Sequence, residues 1–159
     1  KEAIASGATI LDVGGYSSRP GAKELSVDEE WERVRNGLRG IKDVAADAFV
    51  SVDTFRSEVM RRAVEEFGDV IVNDISAGEL DDEMIDVVAK YNLPYIAMHM
   101  RGTPRTMQQL ATYDDVVQQV CDDLQAKAER LLGWKAEKTL EEMCRDAWNF
   151  RKLREEENK

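Results

Sequence analysis

Residues 8–21 read ATILDVGGYSSRPG, and this stretch decides the class of fold. It opens with an apolar, β-branched run at residues 8–13, which Gly14 and Gly15 end. Short apolar runs of this kind are typical of parallel strands covered on both faces. Three further runs follow: AFVSVD at residues 48–53, VIVND at 70–74 and PYIAMHM at 94–100. The sequence therefore predicts four short parallel strands.

Helical patterns separate these strands. Ser26 and Glu29 have capping-box spacing at the start of the first helix, and Gly68 and Gly133 are placed to end later ones. The predicted inward faces are Trp31, Val34, Leu38 and Ile41, then Val59, Met60, Ala63, Val64 and Phe67, then Met84, Ile85, Val88 and Ala89, and finally Val117, Val120, Cys121, Leu124, Ala128 and Leu131. Alternating strands and helices imply right-handed βαβ units in a parallel sheet. Periodicity alone leaves a doubly wound sheet and a (β/α) barrel both open.

Composition excludes some classes of partner. The formal net charge is −10 and the isoelectric point is about 4.7, so the surface repels nucleic-acid phosphates and anionic membranes. No apolar run approaches the ~18 residues of a membrane span. The chain has two Cys and one His, too few for a zinc site, and the cysteines fit thiols in a reducing compartment. We therefore predict a cytoplasmic protein that binds neither nucleic acid nor membrane.

Polar residues end each predicted strand, where parallel α/β folds bind ligands. Asp53 and Thr54 close the second strand, and Asn73 and Asp74 close the third. Each has a structural alternative, because Asp53 or Thr54 could cap the next helix and Asn73 with Asp74 could close a turn. Together, a carboxylate and a carboxamide on adjacent strands suit a flat heterocycle, because the carboxylate accepts N–H bonds and the carboxamide both donates and accepts.

Three other side chains lie near the predicted ligand face. Arg19 and Arg101 lie in loops that contain Gly and Pro, where a phosphate-bearing ligand would bind, although surface arginines are usually solvated. His99 is the single histidine, and its place in an apolar run favours a core residue over a catalyst.

Four segments, taken together, carry a family resemblance. They are GATILDVGGYSSRPGA, FVSVDTFRSEV, VIVNDISAG and YIAMHMRGTPRTMQ, and in order and spacing they resemble dihydropteroate synthases over residues 1–133. The resemblance implies an α/β fold, here a partial (β/α)8 TIM barrel with about four parallel β/α units. It also implies a folate-biosynthesis transferase that condenses 6-hydroxymethyl-7,8-dihydropterin pyrophosphate with para-aminobenzoate to give dihydropteroate and pyrophosphate.

The resemblance also assigns site residues. Asp53 and Asn73 correspond to the residues that hold the pterin, while Ser18 and Arg19 belong to the catalytic loop over the pyrophosphate and aminobenzoate. The family more often has Thr at the position of Ser18, and many members have Glu where this chain has Tyr16. The family uses Mg²⁺, but its Mg²⁺-binding Asn would lie upstream of Lys1, so no metal ligand is predicted within this chain.

Residues 134–159 do not align with the family and form a separate, charged tail. Within it we predict one helix over residues 139–153, with Thr139 as N-cap and Leu140, Met143, Ala147 and Phe150 on one face. About four strands of a barrel leave unpaired edges, so a homodimer is one expected outcome. We expect little turnover from this chain alone. The alternatives are a non-catalytic pterin-binding module and a pterin-dependent methyltransferase domain.

Overall fold

A computed structural model describes residues 2–19, 21–133, 138, 139, 142 and 145 of the chain. Its elements are α1 Glu2–Ala5, β1 Ile10–Gly14, α2 Val27–Val44, β2 Phe49–Asp53, α3 Ser57–Phe67, β3 Ile71–Asp74, α4 Met84–Tyr91, β4 Tyr95–Ala97, α5 Met107–Leu110 and α6 Val116–Leu132. They fall into two compact units, Lys1–Thr112 and Tyr113–Lys159. The predicted boundary at residue 133 stays a prediction.

The first unit is a parallel sheet with the strand order β1-β2-β3-β4. All four predicted strands form, which confirms the α/β class. Each is shorter than predicted, most of all the fourth, which ends at Ala97 rather than at residue 100. His99 therefore lies half-buried in the loop that follows β4 and not inside a strand.

Helix α2 begins and packs as its sequence indicates. The Ser26 hydroxyl accepts a hydrogen bond from the Glu29 N–H at 3.2 Å, and the Glu29 carboxylate accepts one from the Ser26 N–H at 2.9 Å. Trp31, Val34 and Leu38 are buried, as predicted. Together these contacts fix where α2 starts and which side faces the sheet.

The hydrophobic core lies between the sheet and helices α2, α3 and α4. Its members are Trp31, Val34, Leu38, Val52, Val59, Met60, Ala63, Val70, Val72, Met84, Val87 and Leu93. Helix α3 ends at Gly68, with φ 85°, as predicted. In α4 the prediction that Ala89 faces inward is wrong, because Ala89 is exposed and Val87 is buried instead. A helix of eight residues has a narrow buried stripe, and Val87 continues it from Met84 at the three-residue spacing.

The other face of the sheet carries both apolar and polar side chains. Strand register places Ile10 beside Phe49, Asp12 beside Ser51, and Asn73 beside both Asp53 and Ile96. Phe49 is 66% exposed, and Ile10 and Ile96 are also exposed. We call this the inner face, and it is the face of the sheet opposite the core that packs against α2, α3 and α4.

The second unit contains α6, which begins and ends at predicted signals. The Asp115 side chain accepts a hydrogen bond from the Gln118 N–H at 3.0 Å, and Gly133 ends the helix with φ 59°. Val117, predicted on the apolar stripe, is exposed.

The described residues of the tail include the predicted N-cap Thr139 and Glu142. The Glu142 N–H donates to the Thr139 hydroxyl at 3.3 Å, and the Thr139 N–H donates to the Glu142 carboxylate at 2.7 Å, so Thr139 makes the expected cap. The predicted apolar positions Leu140, Met143, Ala147 and Phe150 lie outside the described residues. Across the part of the chain that is described, no helix is both long and apolar enough to cross a membrane.

Candidate active site

Asp53 and Asn73 lie side by side at the carboxyl ends of β2 and β3. The register pairs Asp53 with Asn73, and on its other side Asp53 with Gly14 of β1. A Cβ at Gly14 would lie 3.3 Å from both the Cβ and the Oδ2 of Asp53. Gly14 therefore leaves the space in which the Asp53 carboxylate lies, and the structure brings together the predicted pair.

Asp53 does not cap helix α3. The N-cap position is Arg56, which makes no capping bond with its side chain, and the Ser57 N–H donates instead to the Asp81 carboxylate at 2.7 Å. Thr54 does not cap α3 either: its hydroxyl accepts from the Arg56 N–H at 3.2 Å and donates to the Glu30 carboxylate at 2.6 Å. Within the described residues no donor bonds the Asp53 carboxylate, so it remains available to a ligand.

The surroundings of Asp53 disfavour its charge. Burial, and after it the neighbouring carboxylates of Asp12, Glu30 and Asp74, raise the pKa of Asp53 from 3.8 to about 6. A carboxyl that gains or loses its proton near neutral pH, with no structural partner, is typical of functional sites.

Asn73 and Asp74 have separate roles. Asp74 is fully buried and closes the turn after β3, accepting from the Ser76 and Gly78 N–H groups, each at 2.8 Å, and from the Tyr95 hydroxyl at 2.9 Å. The turn-closing alternative is therefore correct for Asp74. Asn73 points to the inner face, where its Nδ2 lies 3.3 Å from Oδ1 and 3.4 Å from Oδ2 of Asp12.

Asp12 and Ser51 are two further polar residues beside the predicted pair, and the sequence assigned neither of them a role of its own. Both interrupt apolar strands and lie on the inner face beside each other, and the Ser51 hydroxyl donates to the Asp12 carboxylate. The residue type of Asp12 could have indicated its importance from the sequence. A charged side chain in the middle of an otherwise apolar parallel strand is uncommon and needs a polar partner.

A buried ion pair supports the loops around the site. Glu30 of α2 is 0% exposed, and its carboxylate accepts from the Thr54 hydroxyl at 2.6 Å and from Arg56 Nη1 at 3.0 Å. Burial raises the pKa of the Glu30 carboxyl, and these two partners oppose the rise. Arg56 also donates to the Leu25 carbonyl at 2.8 Å. The sequence gives no local sign of this network, because Glu30 resembles any other charged residue in the first turn of a helix.

Aromatic contacts join the loop after β1 to the loop after β2. Tyr16 meets Phe55 edge to face at a ring separation of 5.2 Å, and the Arg56 guanidinium lies 5.2 Å from the Tyr16 ring centre. Tyr16, where many dihydropteroate synthases have Glu, thus packs against Phe55 and Arg56. Such contacts contribute roughly 1 kcal/mol each.

The predicted loop residues are only partly brought to the site. Ser18 lines a small cleft with Tyr16, Asp53, Thr54, Phe55 and Ile75. Arg19 is exposed on the same loop, and Arg101 donates to the Thr112 carbonyl at 3.4 Å. Ser18 therefore lies where it can contact a ligand on Asp53, whereas Arg101 contributes to holding its own loop.

Carboxylates and one amide dominate the site. The described residues include no group of three or more His, Cys, Asp or Glu side chains arranged to hold a metal ion. What these side chains can do is accept N–H hydrogen bonds through Asp53 and both donate and accept through Asn73. That combination fits the edge of a nitrogen heterocycle.

Comparison with known proteins identifies the family. The model for the family described as "Pterin binding enzyme" matches residues 1–139. The chain belongs to the pterin-binding enzyme family. Among curated members, the dihydropteroate synthase of Escherichia coli is 43% identical over 117 residues, which are 74% of this chain and 40% of that protein. That of Streptococcus pyogenes is 42% identical over 126 residues, 79% of this chain and 44% of the relative.

Solved structures agree with this assignment. Dihydropteroate synthase from Yersinia pestis, solved with a sulfonamide drug complex, matches with a TM-score of 0.74 at 32% identity, covering 83% of this chain and 47% of that chain. The enzyme from Xanthomonas albilineans with 4-aminobenzoic acid matches with a TM-score of 0.69 at 35% identity, covering 82% and 44%. This chain therefore spans less than half the length of these relatives and holds part of their (β/α)8 barrel.

Proposed function

We propose that this chain is the pterin-binding part of a dihydropteroate synthase, a transferase that joins 6-hydroxymethyl-7,8-dihydropterin pyrophosphate to para-aminobenzoate in folate synthesis. The observation that carries the proposal is the placement of Asp53 beside Asn73 at adjacent strand ends, with the Asp53 carboxylate unbonded within the described residues. The relatives support it, because several are named dihydropteroate synthase and one, from Plasmodium falciparum, was solved with pteroate.

The proposed roles follow from the chemistry of each group. Asp53 accepts N–H bonds from the pterin, and the Asn73 carboxamide donates to one ring atom and accepts from a neighbouring group. Ser18 lines the cleft beside Asp53, and Ser18 and Arg19 together contact the pyrophosphate and the aminobenzoate. As pyrophosphate leaves, negative charge develops on it and positive charge on the pterin methylene, so cationic groups must neutralise the leaving group.

Mg²⁺ is the cofactor expected from the family, and the described side chains do not fit a Mg²⁺ site. Mg²⁺ is usually bound by one or two charged carboxylates together with water and substrate phosphates. On the inner face, the Asp12 carboxylate already accepts from Ser51 and Asn73, and burial with neighbouring carboxylates raises the pKa of Asp53 to about 6, which disfavours its charged form. We therefore assign no step to a metal held by this chain. The proposed substrates are small molecules, and homodimer formation and a cytoplasmic location stay predictions; one relative, from Arabidopsis thaliana, is named a mitochondrial protein.

Turnover and binding are expected to separate in this chain. The proposed pterin contacts Asp53 and Asn73 lie side by side at adjacent strand ends, whereas Arg19, the cation proposed to neutralise the leaving group, is exposed. Losing one charge-stabilising group commonly costs about 10²–10³ in rate. We therefore expect pterin binding with negligible dihydropteroate formation, which is the behaviour of the non-catalytic pterin-binding module considered above.

Calorimetric titration of the chain with 6-hydroxymethyl-7,8-dihydropterin tests the proposal. We expect saturable binding that weakens at least tenfold in Asp53→Ala and in Asn73→Ala, because each loses hydrogen bonds to the ligand. The matched control is Asp86→Ala, which removes an exposed carboxylate from α4 and should leave affinity unchanged. A folded sample that does not bind, or that binds equally well after Asp53→Ala, would contradict the proposal.

A further inference from the structure

Asp12 lies on the inner face one register step before the proposed ligand contacts. Its strand neighbour is Ser51, whereas Asp53 and Asn73 form the next pair toward the carboxyl ends. Its carboxylate bonds the Ser51 hydroxyl and faces Asn73 Nδ2 at 3.3 and 3.4 Å. Asp12 thus contacts one of the two proposed pterin-binding residues.

The contact between Asp12 and Asn73 passes over the strand between them. Strand β2 separates β1 from β3, and at this level it contributes Ser51, whose small side chain leaves room for the longer ones to meet above it. Because Ser51 also donates to Asp12, the carboxylate is held from one side while it faces the amide on the other. A larger residue at position 51 would occupy the space that this contact needs.

The carboxylate determines which way the Asn73 amide faces. A carboxylate only accepts hydrogen bonds, so it selects the orientation that turns Nδ2 toward it and disfavours the one that turns Oδ1 toward it. One of the two Nδ2 protons is then used by Asp12. The other proton and Oδ1, which has no donor among the described residues, stay side by side as a donor and an acceptor in a fixed order.

We propose that Asp12 is a positioning residue that fixes the order of donor and acceptor on Asn73, and so makes the site select a 2-amino heterocycle edge over its 2-oxo counterpart. On the N1–C2 edge of a pterin, the 2-amino group donates and ring nitrogen N1 accepts. On the same edge of a lumazine, the 2-oxo group accepts and N1–H donates. In the fixed orientation, the donor and acceptor of Asn73 pair with the pterin edge. Against the lumazine edge, donor meets donor and acceptor meets acceptor.

This inference rests on the proposed pterin site, and its test uses a ratio of affinities. Calorimetry compares 6-hydroxymethylpterin with 6-hydroxymethyllumazine on each variant. We expect the unaltered chain to prefer the pterin by about tenfold or more, since the reversed edge leaves polar groups unpaired. In Asp12→Ala and Asp12→Asn the preference for the pterin should fall to about threefold or less. An alanine at position 12 cannot hold the Asn73 amide, and an asparagine there can bond that amide in either of its two orientations.

Control variants separate positioning from general damage. Asp53→Ala should weaken the binding of both ligands and leave most of the preference for the pterin in place. Asp86→Ala should change neither the affinities nor the preference. An unchanged preference in Asp12→Ala would overturn the inference while leaving the proposed function intact. Absence of binding to either ligand by the folded, unaltered chain would overturn both.

A second measurement tests the orientation without any ligand. In a ¹H–¹⁵N spectrum, the Asn73 side-chain amide is assigned by the signal that Asn73→Ala removes. We expect one of its two proton resonances to lie downfield, because it is bonded to the carboxylate, and to move upfield in Asp12→Ala but not in Asp86→Ala. An Asn73 amide signal that is the same with and without the Asp12 carboxylate would overturn the inference.

Discussion

At the scale of single residues, the ionised Asp53 carboxyl lowers the stability of the fold and is also the proposed ligand contact. Its pKa of about 6 means that the folded chain holds the proton more tightly than an unfolded chain with an ordinary aspartate. The stability that Asp53 contributes is fully present below pH 3.8 and is lost as the pH rises through about 6. At neutral pH the site therefore keeps a carboxylate that destabilises the fold, which is a recurring property of ligand-binding groups.

Replacing Asp53 with Asn should stabilise the chain at neutral pH more than in acid. We expect Asp53→Asn to raise the free energy of unfolding by roughly 1 kcal/mol relative to the unaltered chain at pH 7.5, and by much less at pH 4. The full effect of such a pKa change would be about 3 kcal/mol, but Asp53 is only half-buried and solvent screens it. Urea unfolding at the two pH values measures the difference.

The control for this prediction is Asp86→Asn, which removes one charge at an exposed position. It accounts for the general effect of lowering the net negative charge. If Asp53→Asn gained the same stability at both pH values, or no more than Asp86→Asn, the environment of Asp53 would not penalise its ionisation.

At the scale of elements, helix α2 connects the core to the site. Its buried residues Trp31, Val34 and Leu38 pack on the sheet, and Glu30 of the same helix reaches Thr54 and Arg56 beside the site. Leaving a buried charge without its partner commonly costs about 3–5 kcal/mol, so the position of this helix and the loop after β2 depend on each other.

Two glycines in α2 give a matched test of how closely this helix approaches the sheet. A Cβ at Gly37 would lie 2.7 Å from Val13 Cγ1, whereas a Cβ at Gly40 would have no atom within 4 Å. Glycine inside a helix costs about 0.5–1 kcal/mol relative to alanine. We expect Gly40→Ala to stabilise the chain by about that amount and Gly37→Ala to lower its stability by roughly 1–3 kcal/mol through overpacking.

Thermal and urea unfolding of the two variants measure the prediction, and each variant serves as the control for the other because both change helix propensity equally. A gain from both substitutions would mean that α2 can move away from Val13 at little cost. Equal losses would mean that the glycines serve flexibility and not close packing.

At the scale of the whole molecule, the inner face leaves apolar surface exposed. Phe49, Ile10 and Ile96 lie on it with exposed fractions of 66%, 44% and 46%. The chain covers 47% of the Yersinia pestis enzyme, so the inner face corresponds to the interior of a barrel of which this chain supplies less than half. Contiguous exposed apolar patches promote association of chains in solution.

We expect Phe49→Thr to reduce concentration-dependent association of the chain while changing its stability by less than about 1 kcal/mol. Threonine keeps the β-branched shape that strands favour, and a largely exposed phenylalanine contributes little to the core. Sedimentation velocity over a range of concentrations measures the effect. Val44→Thr, which alters an exposed apolar residue at the end of α2, is the control and should leave association unchanged. An equal effect of both substitutions would show that the inner face has no special part in association.

The sequence by itself determined the four strands, the four longer helices and the placement of two candidate site residues, whereas the short helix α5 was not predicted. The capping box at Ser26 and the helix ends at Gly68 and Gly133 are decided by groups a few residues apart, so they can be read from the chain. The closeness of Asp53 and Asn73 could be predicted because strand ends follow from the apolar pattern, and the ends of adjacent parallel strands meet at one edge of the sheet.

Only the tertiary structure decided how the polar groups are paired. Asp81 caps α3 across a separation of 24 residues, and Asp12 faces Asn73 across 61. Neither pairing has a local signal. The first depends on how α3 packs beside α4, and the second depends on the strand register and on the small side chain of Ser51 between two strands. The same applies to Asn73 and Asp74, which are neighbours in sequence. Strand alternation turns one toward the inner face and buries the other in a turn, so their roles separate only when the sheet forms.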